Sequence, residues 1–307
     1  MNTISLNTPE LRDAPSPVGW LTQISRIWAS LYRARTPLLG LVVFILVVLT
    51  AVLAPVLAPH PPAEQDLELR LKPPAWQPGA VPSYPLGTDQ LGRDILSRLI
   101  YGARISLLVG LVTAGISGLA GLLLGLCAGY YRGLVDGFIS RLIDIQLAFP
   151  FVLLALSVVA VLGGGLLNVI VVLGVGGWMS FARIVRADTL SLRQREYVEA
   201  ARCMGASDWR IMVRHILPNV MAPIIVIGSF AVSTNIIYEA ALTFLGVGVS
   251  PNIPTWGNML ADGRDYLGVG WWIATFPGVA IMALALGINL LGDWLRDVLD
   301  PRYGLYR

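Results

Sequence analysis

The hydrophobic pattern divides the chain into long apolar stretches separated by polar segments. A hydrocarbon core about 30 Å thick is spanned by about 20 residues of α-helix. Six stretches approach or exceed that length, at residues 38–57, 107–128, 145–162, 166–181, 221–247 and 271–291. Three glycines, at 163–165, predict a turn between the third and the fourth. The pattern therefore predicts an all-α polytopic membrane protein with six transmembrane helices.

Composition supports a membrane location and a topology. Of the 307 residues, 55% are hydrophobic and 13% charged, and the mean hydropathy is +0.69. A soluble domain carries about 25% charged residues. Sixteen of the 22 Arg and Lys residues fall on the side that would hold both termini, which predicts that both termini are cytoplasmic. We attribute the net charge of +3 to these loop arginines and expect no nucleic-acid partner.

The spans define the expected organisation of the chain. A cytoplasmic tail, 1–36, precedes the first transmembrane helix, 37–58. An extracytoplasmic segment, 59–102, follows, and Asp94 is suited to the first turn of a short interfacial helix that leads into the second span. Arg98 lies four residues after Asp94, the helical spacing of an ion pair. Residues 103–292 hold five transmembrane helices and a cytoplasmic loop, 187–218, and a second cytoplasmic tail covers 293–307.

The polar loop 187–218 carries two helical repeats of apolar residues. Spacings of i, i+3, i+4 and i+7 predict one apolar face from Tyr197, Ala200, Ala201 and Met204, and a second from Trp209, Met212, Val213 and Ile216. We expect both faces to pack against the membrane domain. An ordinary loop lying on lipid headgroups is the alternative. The small residues at 200, 201 and 205 favour close approach by another protein.

The ends of these two helices are marked by residues with capping preferences. Gly205 is expected to end the first helix, because glycine adopts the left-handed conformation of a helix C-terminus. Ser207 is a suitable N-cap for the second helix, and Asp208 favours the positive end of its dipole. Pro218 is expected to end that second helix.

The order Glu199-Ala200-Ala201, Gly205, Leu217-Pro218 resembles the signature of permease subunits of binding-protein-dependent ABC importers. His215 is a departure, since isoleucine is usual there. Further segments are similar to the dipeptide/oligopeptide/nickel permease group, second-subunit type: Leu86 to Asp94, Ser97 to Ser106, Phe244-Leu245-Gly246, Trp256-Gly257 and Asp293 to Arg302. The resemblance covers about residue 37 to the C-terminus.

The resemblance implies the type I ABC importer permease fold in a bacterial inner membrane. It implies a heterodimer with a homologous permease, two cytoplasmic ABC ATPases and an extracytoplasmic substrate-binding protein as partners, with short peptides or related small solutes as cargo. It places the ATPase-docking surface on the loop, at Glu199, Ala200, Ala201, Gly205, Ala206, Ser207 and Asp208.

The chain has no GxxxxGK[ST] phosphate loop, so we expect no cofactor here and place ATP and Mg²⁺ on the partner ATPases. His60 and His215 lack metal-ligand spacing, and we expect no metal site. We also expect a transport subunit and no enzyme, because no histidine–carboxylate cluster or nucleophile constellation supports a membrane-embedded one.

Three polar residues in the fifth span form a candidate translocation face. Asn235, Glu239 and Thr243 are four residues apart and share one side of a helix. Glu239 either faces the path of the substrate, or is protonated or hydrogen-bonded between helices, or lies close to the outer membrane interface. An ion-coupled secondary transporter with Glu239 as proton carrier is the alternative function.

Overall fold

The computed structural model describes residues 35–299, which form helices joined by turns, with no β-strand among them. The two predicted tails fall mostly outside these residues. In chain order the α-helices are α1 Arg35–Val52, α2 Ala54–Leu57, α3 Ile95–Tyr131, α4 Gly133–Leu147, α5 Phe151–Leu162, α6 Leu166–Gly176, α7 Trp178–Leu192, α8 Glu196–Cys203, α9 Asp208–Ile211, α10 Leu217–Phe244, α11 Trp256–Gly263 and α12 Trp272–Leu299. A π-helical turn, Met212–Ile216, joins α9 to α10, and 3₁₀ turns occupy Leu67–Leu69 and Arg264–Tyr266.

The apolar stretches predicted to span the membrane all form helices. Four helical segments in the described range are long and apolar enough to cross a bilayer: α3, α6 with α7, α9 with α10, and α12. The fourth predicted span runs on to Leu192, beyond its expected end at 181. A fifth segment is the pair α4 and α5, and α1 is a shorter apolar helix. The all-α, polytopic class predicted from the sequence is confirmed.

The third predicted span is not one straight helix, and its expected start at residue 145 is wrong. Helix α4 ends at Leu147, α5 begins at Phe151, and the two meet at an angle of 87°. Pro150 causes the break, because it lacks an N–H group and disfavours helical geometry at the residue before it. Near the bend, the Gln146 side chain joins α4 to the junction of α6 and α7: its Nε2 donates to Gly176 O at 2.7 Å, and its Oε1 accepts from Trp178 Nε1 at 2.9 Å.

Helix α3 lies at the centre of the fold and packs closely against α7 through glycines. A Cβ atom on Gly125 would lie 2.7 Å from Ala182 O, and one on Gly121 would lie 2.5 Å from Trp178 O. Apolar burial gives helices in lipid little drive to associate, so close backbone approach supplies the contact instead. Gly121 and Gly125 therefore serve helix packing on this face.

A largely buried group of charges lies at the start of α3, and we call it the ionic cluster of α3: Asp89, Arg93, Arg98 and Asp262. Arg93 Nε donates to Asp89 Oδ2 at 2.6 Å, and its Nη2 donates to Asp262 Oδ2 at 2.9 Å. Arg98 donates to the same two carboxylates. The cluster joins the N-terminal end of α3 to α11, which carries Asp262.

Asp94 is the N-cap of α3, and its carboxylate accepts from Ser97 N at 2.9 Å and from Leu96 N at 3.3 Å. The separate interfacial helix expected before the second span is continuous with it, because α3 runs from Ile95 to Tyr131 without a break.

Candidate functional site

The motif in the polar loop folds into two short helices with a tight turn between them. We call residues 196–211 the loop element; it consists of α8, the turn 204–207 and α9. Glu196 and Glu199 lie in the first turn of α8 and Arg202 lies in its last. This order places negative charge at the positive end of the helix dipole and positive charge at its negative end.

The turn has the geometry that its residues predict. Gly205 adopts φ +80°, and its N–H donates to Arg202 O at 3.0 Å. Ala206 N donates to Ala201 O at 3.1 Å, and the two bonds together form a Schellman motif. Ser207 caps α9, since its Oγ accepts from Arg210 N at 3.4 Å. The predicted C-terminal glycine and N-cap serine are both confirmed.

The loop element turns a different face to the core from the one expected. Val198, Ala201 and Ile211 are buried, whereas Met204 is 82% exposed and Trp209 is 70% exposed. The predicted burial is therefore wrong for Tyr197, Ala200, Met204, Trp209 and Val213, and it is confirmed for Ala201, Met212 and Ile216. The cause lies outside the loop: Val198 and Ile211 fill an apolar cluster with Leu126 and Val185 of α3 and α7, and these positions set the rotation of both short helices.

The candidate docking residues all lie between positions 199 and 208, and they differ in how exposed they are. Ala201 is buried and Ala206 is half-buried, and the other members are exposed: Glu199, Ala200, Gly205, Ser207 and Asp208. A Cβ atom added to Gly205 would meet nothing within 4 Å, so the outer side of the turn is open.

The second helix of the loop does not end at Pro218, as expected from the sequence. Helix α9 continues through the π-helical turn into α10, so that Asp208–Phe244 forms one helical segment. Leu217 N donates to Met212 O, an i to i−5 bond. This wider turn accommodates the proline, which lies in the first turn of α10, where a missing N–H costs little.

Sequence reasoning missed Tyr130, the residue that holds the loop element to α3. The Tyr130 hydroxyl donates to Asp208 Oδ1 at 2.6 Å, and Arg193 Nη1 donates to Tyr130 O at 2.5 Å. Tyr130 also raises the pKa of the Arg202 guanidinium through a side-chain hydrogen bond. The link joins residues 78 apart in sequence, and no local pattern indicates it.

The candidate translocation residues share one face of α10, but this face is enclosed by the chain itself. Asn235 is 6% exposed, Glu239 0% and Thr243 4%. Asn235 Nδ2 donates to Thr113 Oγ1 at 2.8 Å, and Thr243 Oγ1 donates to Glu239 Oε1 at 3.1 Å. These contacts favour the interpretation of Glu239 as a group held between helices.

An open groove lies elsewhere along α10. Its volume is about 460 Å³, and it is bordered by Ile184, by the α10 residues Asn219 to Phe230 and by Arg296 and Leu299 of α12. Asn235, Glu239 and Thr243 are not among its lining residues.

The sequence of this helical protein matches two known families. Residues 121–305 match the family described as binding-protein-dependent transport system inner membrane component. Residues 22–74 match the N-terminal TM domain of oligopeptide transport permease C. The chain belongs to the binding-protein-dependent permease family. The permease is therefore a membrane transport subunit, as the loop motif predicted.

Individual relatives agree over nearly the whole permease. The di/tripeptide transport system permease protein DppC of Pseudomonas aeruginosa is 44% identical over 94% of this chain and 93% of its own length. The dipeptide transport system permease protein DppC of Escherichia coli is 45% identical over 94% of this chain and 95% of its own. The glutathione transport system permease protein GsiD of Pectobacterium atrosepticum is 47% identical over 71% of this chain and 72% of its own.

The fold has a solved counterpart in an inward-facing structure of the MetNI methionine ABC transporter. It superposes with a TM-score of 0.56 at 21% identity and covers 67% of this chain and 98% of the matched chain. This likeness confirms the type I importer permease fold.

Proposed function

We propose that this permease forms half of the translocation path of an ATP-driven importer for short peptides or related small solutes. It pairs with a homologous permease, stands on two cytoplasmic ABC ATPases and receives its cargo from an extracytoplasmic binding protein. The loop element docks on one ATPase, and both termini lie in the cytoplasm. ATP and Mg²⁺ are bound by the ATPases, since this chain carries no phosphate loop.

The exposed face of the loop element carries this proposal. Met204 and Trp209 are large apolar side chains left uncovered within the described residues, beside the small residues Ala200 and Gly205. Large exposed side chains around a small-residue surface are typical of a protein interface, where anchors fill pockets and small residues allow close approach. The Schellman turn and the buried Val198 hold this face in one orientation.

The substrate class rests on the relatives. Two that match at least nine-tenths of this chain are named as permeases for dipeptides or di- and tripeptides, and a third is named for glutathione. Short peptides are the chemistry that these names share. The path itself would lie between the two permeases, so the residues that meet cargo would be exposed in this chain, unlike Glu239.

A test of docking uses Ala200, which is exposed and whose replacement does not disturb the core. In the complete importer, Ala200→Trp should weaken ATPase binding about thirtyfold, because overpacking an interface costs about 2 kcal/mol. Co-purification of the ATPases and substrate-stimulated ATP hydrolysis measure the effect. Ala200→Ser at the same position should behave as the wild type. A tryptophan variant that keeps its ATPases and its uptake would refute docking through this face.

The alternative, ion-coupled transport through Glu239, makes a different prediction. The proposed importer should work in proteoliposomes without a proton gradient. With ATP supplied on the side that carries the ATPases, peptide should accumulate on that same side. A proton carrier must reach water on each side in turn, and the complete burial of Glu239 offers no such access in this conformation. Uptake that collapses when the proton gradient is removed, with ATP still present, would favour the alternative.

A further inference from the structure

Tyr130 belongs to α3 and contacts residues of three other helices or their ends: α7, α8 and α9. It lies in the last turn of α3 and is 3% exposed. Its hydroxyl bonds Asp208 at the start of α9, and its carbonyl accepts from Arg193 at the end of α7. The guanidinium carbons of Arg193 and Arg202 lie 5.6 Å and 5.9 Å from the centre of its ring. Cation–π attraction at these distances holds α8 to the same side chain.

The surroundings show that the ring and the hydroxyl have separate roles. The ring belongs to an apolar cluster with Leu126, Val185, Val198 and Ile211, which phenylalanine would fill equally well. The hydroxyl instead reaches the rim of that cluster and bonds a carboxylate of the loop element. Hydrogen bonds to a charged partner are about twice as strong as those between neutral groups.

Helix α3 is built to transmit displacement along its whole length. Its 37 residues give a rod of about 55 Å at 1.5 Å per residue. The ionic cluster of α3 fixes its N-terminal end through Arg98, and Gly121 and Gly125 press its middle against α7. Movement imposed on the C-terminal end at Tyr130 therefore reaches the N-terminal end without a hinge in between.

The loop element is connected to the membrane domain through its chain end at α7, through the apolar cluster of Val198 and Ile211, and through two further links that reach α10 and α3. One is covalent and runs through the π-helical turn into α10. The other is the non-covalent bond from Asp208 to Tyr130. We propose that Tyr130 is a positioning residue that makes α3 follow the loop element, so that α3 and α10 move together during transport. This inference rests on the proposed docking of the loop element on an ATPase.

Tyr130→Phe tests the inference, because it removes the hydroxyl and keeps the ring. In the complete reconstituted importer, the amount of peptide imported per ATP hydrolysed should fall about tenfold. This is about the change in an equilibrium constant that the loss of one hydrogen bond to a charged group produces. ATPase retention and the thermal stability of the complex should stay near those of the wild type. A general loss of structure would instead lower yield and stability, which separates a positioning role from a purely structural one.

Tyr131→Phe is the matched control. Tyr131 is the next residue, is 50% exposed and stacks edge-on against Tyr130 at 5.3 Å. Its variant should keep the wild-type ratio of transport to hydrolysis. A second test combines Tyr130→Phe with Asp208→Ala. If the two side chains act through one bond, the double variant should be no worse than Asp208→Ala by itself.

The outcomes separate this inference from the docking proposal. If Ala200→Trp releases the ATPase while Tyr130→Phe keeps the wild-type transport ratio, the role of Tyr130 is refuted and docking stands. If Ala200→Trp leaves ATPase binding and uptake unchanged, docking itself fails. A Tyr130→Phe variant with a reduced ratio and a Tyr131→Phe variant with a normal one would support the positioning role.

Discussion

Glu239 has a carboxyl group that is enclosed by α10 and α11 of the same chain. Its Oε1 accepts from Thr243 and would lie 3.2 Å from a Cβ atom on Gly257. Its Oε2 is buried with no hydrogen-bond partner among residues 35–299. A charged carboxylate in such a place costs several kcal/mol, whereas the neutral acid avoids most of this cost. The geometry is therefore that of a neutral group packed between helices.

We expect Glu239→Gln to preserve function. The amide has the same shape, stays neutral and can accept the Thr243 hydrogen bond through its oxygen. Peptide uptake by the complete importer should remain within about twofold of wild type, since volume-conserving changes without a lost bond cost little. Uptake assays at several pH values measure this. A well-assembled Glu239→Gln variant that loses most of its uptake would show that the ionisable proton takes part in transport.

The positions of the helices in this permease depend both on local sequence and on contacts between residues that are distant in sequence. Local chemistry predicted the Gly205 turn and the Ser207 cap, because both depend on residues within five positions of each other. It did not predict which side of α8 is buried. That choice depends on the cluster of Val198 and Ile211 with α3 and α7, whose partners are distant in sequence. Pro218 misled for a different, local reason, because a wider turn accommodates it within a continuous helical segment.

Packing along α3 gives a prediction for two glycines of the same helix. Gly125→Ala should destabilise the permease by about 1–3 kcal/mol, because the new methyl group would lie 2.7 Å from Ala182 O, a backbone atom that cannot move freely. Gly115→Ala is the matched control, since a Cβ there would meet nothing within 4 Å. Thermal unfolding of the purified complex in detergent compares them. Equal destabilisation by both changes would contradict the packing argument.

The molecule is organised around α3, which connects two polar sites, one at each end of this helix. The ionic cluster of α3 holds its N-terminal end, and Tyr130 with the loop element holds its C-terminal end. The sequence indicated the motif around Asp94, but it paired Arg98 with Asp94 by helical spacing. Arg98 instead bonds Asp89 and Asp262, and Asp262 lies 164 residues away. Only the folded arrangement of α3 and α11 brings these charges together.

Arg98→Met should therefore lower the stability of the permease at the N-terminal end of α3. Arg98 is 1% exposed and Asp89 is fully buried, so this change leaves buried carboxylate charge with one fewer partner. Removing one member of a buried ion pair costs about 3–5 kcal/mol. The midpoint of denaturant unfolding should shift to a lower denaturant concentration, and a protease should cut residues 58–94 faster, because the cluster ties them to α11.

Asp265→Asn is the control. It breaks the exposed pair of Asp265 with Arg264, whose Nε–Oδ1 distance is 3.2 Å, and should change neither measurement. If Arg98→Met unfolds at the wild-type midpoint and its residues 58–94 resist the protease, the cluster does not hold this end of α3, and α3 cannot act as a rod fixed at both ends.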